Sequence, residues 1–147
     1  MKRIFLLLFS VGTFLQAQEY AYDAILWQKS IGGEHAEYLY HALATPDYGF
    51  LLLGSSVSNA TGQKNKDNQG KLDYFVWKID EAGKQEWQQS FGGDENDFLT
   101  AGALTQDGGY ILGGYSESSE SGDKTTKSFG LAAVSYTHLT LPTTPYV

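Results

Sequence analysis

Two pairs of closely spaced carboxylates are the residues in this sequence best suited to acid–base chemistry. Glu34 and Glu37 follow one Gly-Gly dipeptide, and Asp94 and Asp97 follow another. Glycoside hydrolases use paired carboxylates as acid, base or nucleophile. An active site needs such a pair once, so its occurrence after both dipeptides favours a structural role such as turn hydrogen bonding. The sequence therefore predicts no catalytic residue here.

Two further aspartates lie in turns. Asp47 and Asp107 occupy Thr-x-Asp-x-Gly segments that loosely resemble the Asp-box hairpin of some propellers. An aspartate at this position of a turn accepts hydrogen bonds from backbone amides of the same turn. We therefore expect both aspartates to stabilise hairpins rather than to act on a ligand.

Metal-binding and phosphate-binding patterns are weak. The segment 65–73 faintly resembles an oxygen-rich calcium loop, but Gln69 replaces the usual acid and the bidentate Glu is missing, which favours a solvated loop. His35 and His41 have no third ligand nearby for zinc. The glycine pairs 108–109 and 113–114 lack the Gly-Lys-Ser/Thr ending of a phosphate loop. We predict no metal and no cofactor.

The three tryptophans could stack on sugars, but they have a simpler interpretation. Trp27, Trp77 and Trp87 lie in segments whose apolar residues alternate with polar ones. Large aromatic side chains in such segments supply core and cross-strand packing. We expect them to belong to the core, with a sugar platform as the alternative.

Composition narrows the class of protein. The 147 residues include 17 acids, 10 bases and no cysteine, for a net charge of −7. A net negative charge argues against a nucleic-acid partner, which requires clustered Lys and Arg. The lack of cysteine excludes a disulfide framework and thiolate chemistry within this sequence.

The first residues predict export. Met1-Lys2-Arg3 is followed by an apolar run from Ile4 to Leu15 and then by Gln16-Ala17-Gln18, the three parts of a secretory signal peptide. The apolar run is shorter than the roughly 20 residues of a membrane span. We expect a signal peptide over 1–17, no membrane span after its cleavage, and no lipoprotein anchor because no cysteine follows.

The last residues resemble something other than a natural domain. Residues 134–143, VSYTHLTLPT, resemble one translated frame of the transposase adapter used in short-read library preparation. We therefore interpret 133–147 as an adapter-derived tail. On this interpretation His138 has no function and the natural chain continues further; a native Thr/Pro-rich tail is the alternative.

A repeat of 60 residues organises the middle of the chain. Residues 27–70 align without a gap on 87–130. A fixed period of this size is typical of solenoids, propellers and arrays. The identical positions include Trp27/Trp87, Gly32-Gly33/Gly92-Gly93, Leu39/Leu99, Asp47/Asp107, Leu52/Leu112, Ser58/Ser118 and Lys64/Lys124.

Each repeat reads as four strands. Alternation predicts a first strand over 25–31, and turn residues at 45–49 predict a hairpin between strands at 38–45 and 50–54. The unbroken apolar run 50–53 indicates a strand covered on both faces. A polar loop follows over 55–72, and then a fourth strand whose residues 75, 77 and 79 share a face.

Four short strands per repeat, without helical spacing outside the signal peptide, predict an all-β fold of antiparallel four-stranded repeats, a fragment of about two blades of a β-propeller. The predicted units are 18–86, a first repeat, and 87–132, a truncated second repeat. The Trp…Gly-Gly, Thr-x-Asp-x-Gly, Gly-x-Ser-x-Ser and Asp73-Tyr-Phe-Val-Trp blocks resemble propeller-type repeats of exported Bacteroidota proteins.

That resemblance implies a secreted or cell-surface location and, for many members, type IX secretion with a C-terminal sorting domain. It implies little about activity. We expect a non-enzymatic module whose loops bind a glycan or a protein. Two alternatives remain: the front of a larger secreted, glycan-processing enzyme, and a structural adhesin-like array.

Overall fold

The computed structural model describes residues 25–139, so the predicted signal peptide and the end of the predicted tail lie outside the described residues. Every regular element in this range is a strand. The strands are β1 (Glu37–Ala44), β2 (Phe50–Ser56), β3 (Asp73–Ile79), β4 (Gln85–Phe91), β5 (Asp97–Leu104), β6 (Tyr110–Ser116) and β7 (Ala133–Leu139). The all-β prediction is confirmed for this part of the chain.

The strands form two antiparallel sheets. The first has the order β1-β2-β3-β4, and the second has the order β5-β6-β7. The internal repeat is visible in the pairing, because β1 and β5 each carry a bulge at the same point, between Leu39 and His41 and between Leu99 and Ala101. The second sheet thus repeats the first three strands of the first sheet. Its third strand, β7, lies in the segment that resembles an adapter sequence, and that interpretation stays a prediction.

The strand predicted over 25–31 is wrong. These residues form no strand, whereas the matching residues 85–91 form β4. The physical reason is the need of a strand for a partner that satisfies its backbone hydrogen bonds. Gln85–Phe91 pairs with β3, but no described strand lies beside 25–31.

Tight turns join the paired strands as expected. The β1–β2 turn closes with the Thr45 amide donating to the Gly49 carbonyl at 3.0 Å, and the β5–β6 turn has the same bond from Thr105 to Gly109. Tyr48 adopts φ 64° in the first turn, where the second turn has Gly108 at φ 80°. Left-handed backbone suits glycine and strains tyrosine.

The two sheets pack face to face around one apolar cluster, which we call the inter-sheet core. Alternate residues of β2 and β3 supply one side, and residues of β5 and β6 supply the other. Its buried members are Leu51, Leu53, Tyr74, Val76, Leu99, Tyr110 and Leu112.

A second cluster covers the opposite side of the first sheet, which we call the outer face. Phe75, Trp77 and Ile79 form its buried part, with the Phe75 and Trp77 rings edge to face at 5.7 Å. Phe50 and Leu52 are only partly buried there. The run 50–53 is therefore fully covered on the core side alone.

Candidate functional site

Two long loops gather at one end of the sheets. The loop 57–72 packs on the Gly32–Gly33 turn, and the loop 117–132 packs on the Gly92–Gly93 turn. Backbone bonds join the two systems, since the Lys71 amide donates to the Glu95 carbonyl at 3.2 Å and the Asp97 amide to the Leu72 carbonyl at 2.5 Å. We call this region the loop end. It is the best candidate for recognition, because loops on a rigid scaffold carry most binding sites.

A buried lysine organises the first loop. The Lys64 side chain is 2% exposed, and its Nζ donates to the Ser58 carbonyl and to Asn68 Oδ1. The ammonium also lies 5.4 Å from the centre of the Phe75 ring. Burial lowers the pKa of Lys64, opposed by the nearby carboxylates of Asp73, Glu37 and Asp67.

The second loop repeats this arrangement. Lys124 Nζ donates to the Ser118 carbonyl at 2.5 Å and to Ser128 Oγ. Lys124 and Ser128 occupy the positions of Lys64 and Asn68, 60 residues later. A protein ammonium therefore fills the centre of both loops.

The loop that faintly resembled a calcium site is thus built differently from a solvated loop. Asp67 Oδ1 accepts from the Ala60 amide at 2.9 Å, and Asp73 Oδ2 accepts from the Gln69 amide at 2.5 Å. Asn65 donates its amide to Gln88 Oε1 at 2.8 Å. Its oxygens serve backbone amides, and Lys64 supplies the positive charge.

The paired carboxylates after the Gly-Gly turns hold the loops. Glu37 Oε1 accepts from Ser58 Oγ at 2.5 Å. Its counterpart Asp97 accepts through Oδ2 from Ser118 Oγ at 2.7 Å and from the Gly93 amide at 2.8 Å. The hydrogen bonding expected of these acids is therefore present in both copies.

The outer members of the acid pairs differ. Asp94 accepts from the Ser119 amide and from the hydroxyls of Ser119 and Ser121 at 2.8–2.9 Å. These bonds, the Ser121 hydroxyl first, lower the pKa of Asp94 to about 2. Glu34 instead lies 3.8 Å from His35 Nε2 at the surface.

Two buried carboxylates converge on Gly92. Asp73 is fully buried and Asp97 is 4% exposed. A Cβ on Gly92 would overlap Asp73 Oδ1 and lie 2.9 Å from Asp97 Oδ2, so only glycine fits between the two acids. Burial first, and the charge of Asp97 in addition, raise the pKa of Asp73 to about 6. Asp73 Oδ1 has no hydrogen-bond partner among the described residues.

A small cavity of about 140 Å³ opens beside this acid pair. Tyr74 and Phe91 provide aromatic surface, while Asp97 and Asp123 provide acceptors. Lys124 and three threonines at positions 125, 126 and 137 complete its lining. The cavity combines aromatic faces with hydroxyl and carboxylate groups, a chemistry suited to a small polar ligand.

The turn aspartates behave as predicted. Asp47 Oδ1 accepts from the Gly49 amide and Asp107 Oδ1 from the Gly109 amide, both at 3.2 Å. Sequence reasoning missed a further contact, in which Asp47 Oδ2 lies 2.8 Å from Nζ of Lys78. Burial would raise the pKa of Asp47, but the Lys78 and Thr45 hydrogen bonds outweigh it and lower the pKa to about 2.

Lys78 is the second buried lysine of the first sheet. It is 2% exposed, and its Nζ also lies 2.6 Å from Glu86 Oε2. Glu86 is on the neighbouring strand β4, beside the partner of Lys78 in the register. The only signal in the sequence was a lysine within an otherwise apolar strand.

The remaining candidates stay apart. Between residues 25 and 139, no three His, Asp or Glu side chains are arranged to hold a metal ion. Trp77 is buried in the outer face, and Trp87 packs on the inter-sheet core with its ring 6.2 Å from that of Tyr110. Trp27 is 39% exposed. In the same range, no helix is long and apolar enough to cross a bilayer.

Comparisons with known proteins leave the site to be interpreted from its own geometry. No family model, curated protein or solved structure matches the chain. The fold and the internal repeat therefore define the class: an all-β repeat protein with two stacked antiparallel sheets.

Proposed function

We propose that this chain is an exported, propeller-like repeat protein that acts as a non-enzymatic binding module at the cell surface or outside the cell. The loop end is its recognition surface, and a glycan or a protein is its ligand. The signal-like N-terminus supports export. The stacked four-stranded and three-stranded sheets, related by the repeat, support the propeller-like architecture.

One observation carries the binding role. The two loops share their buried anchors, a serine and a lysine at matching positions, but differ on the surface. Ser58 and Lys64 recur as Ser118 and Lys124, whereas the exposed segment 65–67, Asn-Lys-Asp, becomes Thr-Thr-Lys at 125–127. A constant scaffold with variable surface residues is the arrangement of a recognition loop.

The carboxylates support binding rather than catalysis. Glu37, Asp94 and Asp97 each accept hydrogen bonds that hold a loop or a turn. A general acid or base must reach a proton on a substrate. These oxygens are engaged by serine hydroxyls and backbone amides, which favours a structural use.

The cavity at the loop end favours a neutral sugar as the first ligand to test. Sugars stack on aromatic faces and exchange hydrogen bonds with hydroxyls and carboxylates, and Phe91, Asp123 and Thr125 supply these groups. The net charge of −7 disfavours acidic glycans by repulsion.

Binding to an array of neutral oligosaccharides tests the proposal. We expect binding to a subset of them, and titration calorimetry with each captured oligosaccharide should show at least a tenfold loss of affinity in the double variant Thr125→Ala/Thr126→Ala. The control Lys127→Ala changes an exposed residue of the same loop outside the cavity lining and should leave affinity unchanged. The glycan proposal fails if no oligosaccharide binds or if the two variants behave alike.

A further inference from the structure

The two sheets differ in how one equivalent surface is covered. In the second sheet, Leu99 is 0% exposed because the first sheet packs on it. Its counterpart in the first sheet, Leu39, is 65% exposed on the outer face. The repeat therefore presents the same apolar surface twice, and one of the two copies is uncovered.

The uncovered surface borders a groove of about 630 Å³. Leu39, Ala42, Phe50, Leu52 and Trp77 line its floor. The segment 25–31 lies along its side, where Trp27 lines the groove and Ile31 packs on the outer face.

The position of Trp27 matches that of a strand in a neighbouring sheet. In the inter-sheet contact, Trp87 of β4 packs near Tyr110 of the second sheet. Sixty residues earlier, Trp27 and Phe50 line one groove. Trp27 also donates its Nε1 hydrogen to the Glu81 carbonyl at 2.9 Å, which holds the segment in place. Residues 25–31 therefore lie where the fourth strand of a further sheet would lie.

The second sheet offers what this arrangement lacks. Within the described residues it has three strands, and β7 pairs with β6 alone. Its exposed face carries the counterparts of the inter-sheet core residues: Ile111, 40% exposed, for Leu51, and Val134, 86% exposed, for Tyr74. Gly113, the counterpart of Leu53, has open space where a Cβ would be.

We propose that the outer face of the first sheet is a head-to-tail docking surface for the second sheet of another copy of this chain. That second sheet packs on the groove floor and takes residues 25–31 as its fourth strand. The contact repeats between copies the packing seen within one copy. Because it joins two different surfaces, it propagates into a closed ring or an open filament.

The occupant is a second copy because the chain itself contains the matching surface. An unrelated apolar ligand would explain the exposed Leu39, but it would not explain a strand-like segment without a sheet beside a sheet without its fourth strand. The inference concerns assembly and is independent of the ligand at the loop end, so a chain that stays monomeric can still bind oligosaccharides.

Complementary variants test the proposal by sedimentation velocity. Leu39→Asp disables the groove, and Ile111→Asp disables the docking sheet; both side chains are already exposed. We expect the wild-type chain to assemble, each variant alone to be monomeric, and an equimolar mixture to form 1:1 heterodimers and nothing larger. Tyr48→Asp, at an exposed hairpin residue outside the groove, should assemble like the wild type.

Three results would overturn the proposal: a wild-type chain that is monomeric at its highest soluble concentration, a mixture that stays monomeric, or an Ile111→Asp variant that dimerises alone through two groove faces. Circular dichroism verifies that each variant is folded.

Cross-linking gives a second readout that does not disrupt the surface. Leu53 contacts Gly102 within one copy, so the proposal places Gly113 of one copy against Ala42 of the next. The chain has no cysteine. The double variant Ala42→Cys/Gly113→Cys should form covalent oligomers with a short bismaleimide, and neither single variant should. Equal cross-linking of a single variant would contradict the geometry.

Discussion

Replacing Lys64 by methionine is the sharpest test of the loop architecture. The change keeps the length of an apolar stem but removes the ammonium that donates to the Ser58 carbonyl and to Asn68 Oδ1. Both acceptors lose a charged donor in a buried setting, because Lys64 is 2% exposed.

The expected cost follows from these two bonds. A hydrogen bond to a charged group contributes about 1.5–3 kcal/mol, and the cation–π contact with Phe75 adds about 0.5–1 kcal/mol. Burial of the ammonium, which lowers the Lys64 pKa, offsets part of this sum. We expect Lys64→Met to lower the free energy of unfolding by about 2–4 kcal/mol.

Urea unfolding followed by tryptophan fluorescence measures the effect. With a typical slope of about 2 kcal/mol per molar, the midpoint should fall by about 1–2 M. Lys66→Met is the matched control, an exposed lysine two residues away that should change stability by less than about 0.5 kcal/mol. Lys124→Met should cost less than Lys64→Met, since Lys124 is only partly buried.

Equal stability of the Lys64→Met and Lys66→Met variants would refute the reasoning. It would mean that the loop does not depend on its internal cation. A loss in Lys124→Met larger than in Lys64→Met would also contradict the role assigned to burial.

Three further substitutions probe the backbone and the acid pair. Because the folded pKa of Asp73 is about 6, above its ordinary 3.8, its contribution to stability is present below pH 3.8 and is lost as pH rises through 6. Unfolding titrations from pH 4 to 7 should therefore show a relative loss of about 3 kcal/mol that Asp73→Asn abolishes; an unchanged pH dependence in this variant would contradict the shift. Tyr48→Gly should stabilise the chain by about 0.5–1 kcal/mol by relieving left-handed strain, and Gly108→Tyr should do the opposite in thermal melts; a destabilised Tyr48→Gly variant would count against strain. Gly92→Ala should cost about 2–3 kcal/mol by urea unfolding because its Cβ overlaps Asp73, whereas Gly113→Ala, with open space around it, should be nearly neutral; equal costs would refute the steric argument.

Local sequence patterns determined the hairpins and most strands. Thr-x-Asp-x-Gly predicted the turns at 45–49 and 105–109, because an aspartate bonds the amides of its own turn whatever lies beyond it. Alternation placed residues 75, 77 and 79 on one face, and they pack together there. The period of 60 residues predicted two equivalent units, which the repeated bulges display.

Only the tertiary structure decided which of these patterns found a partner. Residues 25–31 and 85–91 share a strand pattern, but only Gln85–Phe91 has an edge to pair with, so only it became a strand. Lys64 looked like one more residue of a polar loop until the fold enclosed it among the Ser58 carbonyl and Asn68. Strand pairing and burial of a charge both depend on groups that are distant along the chain, and a local pattern cannot specify them.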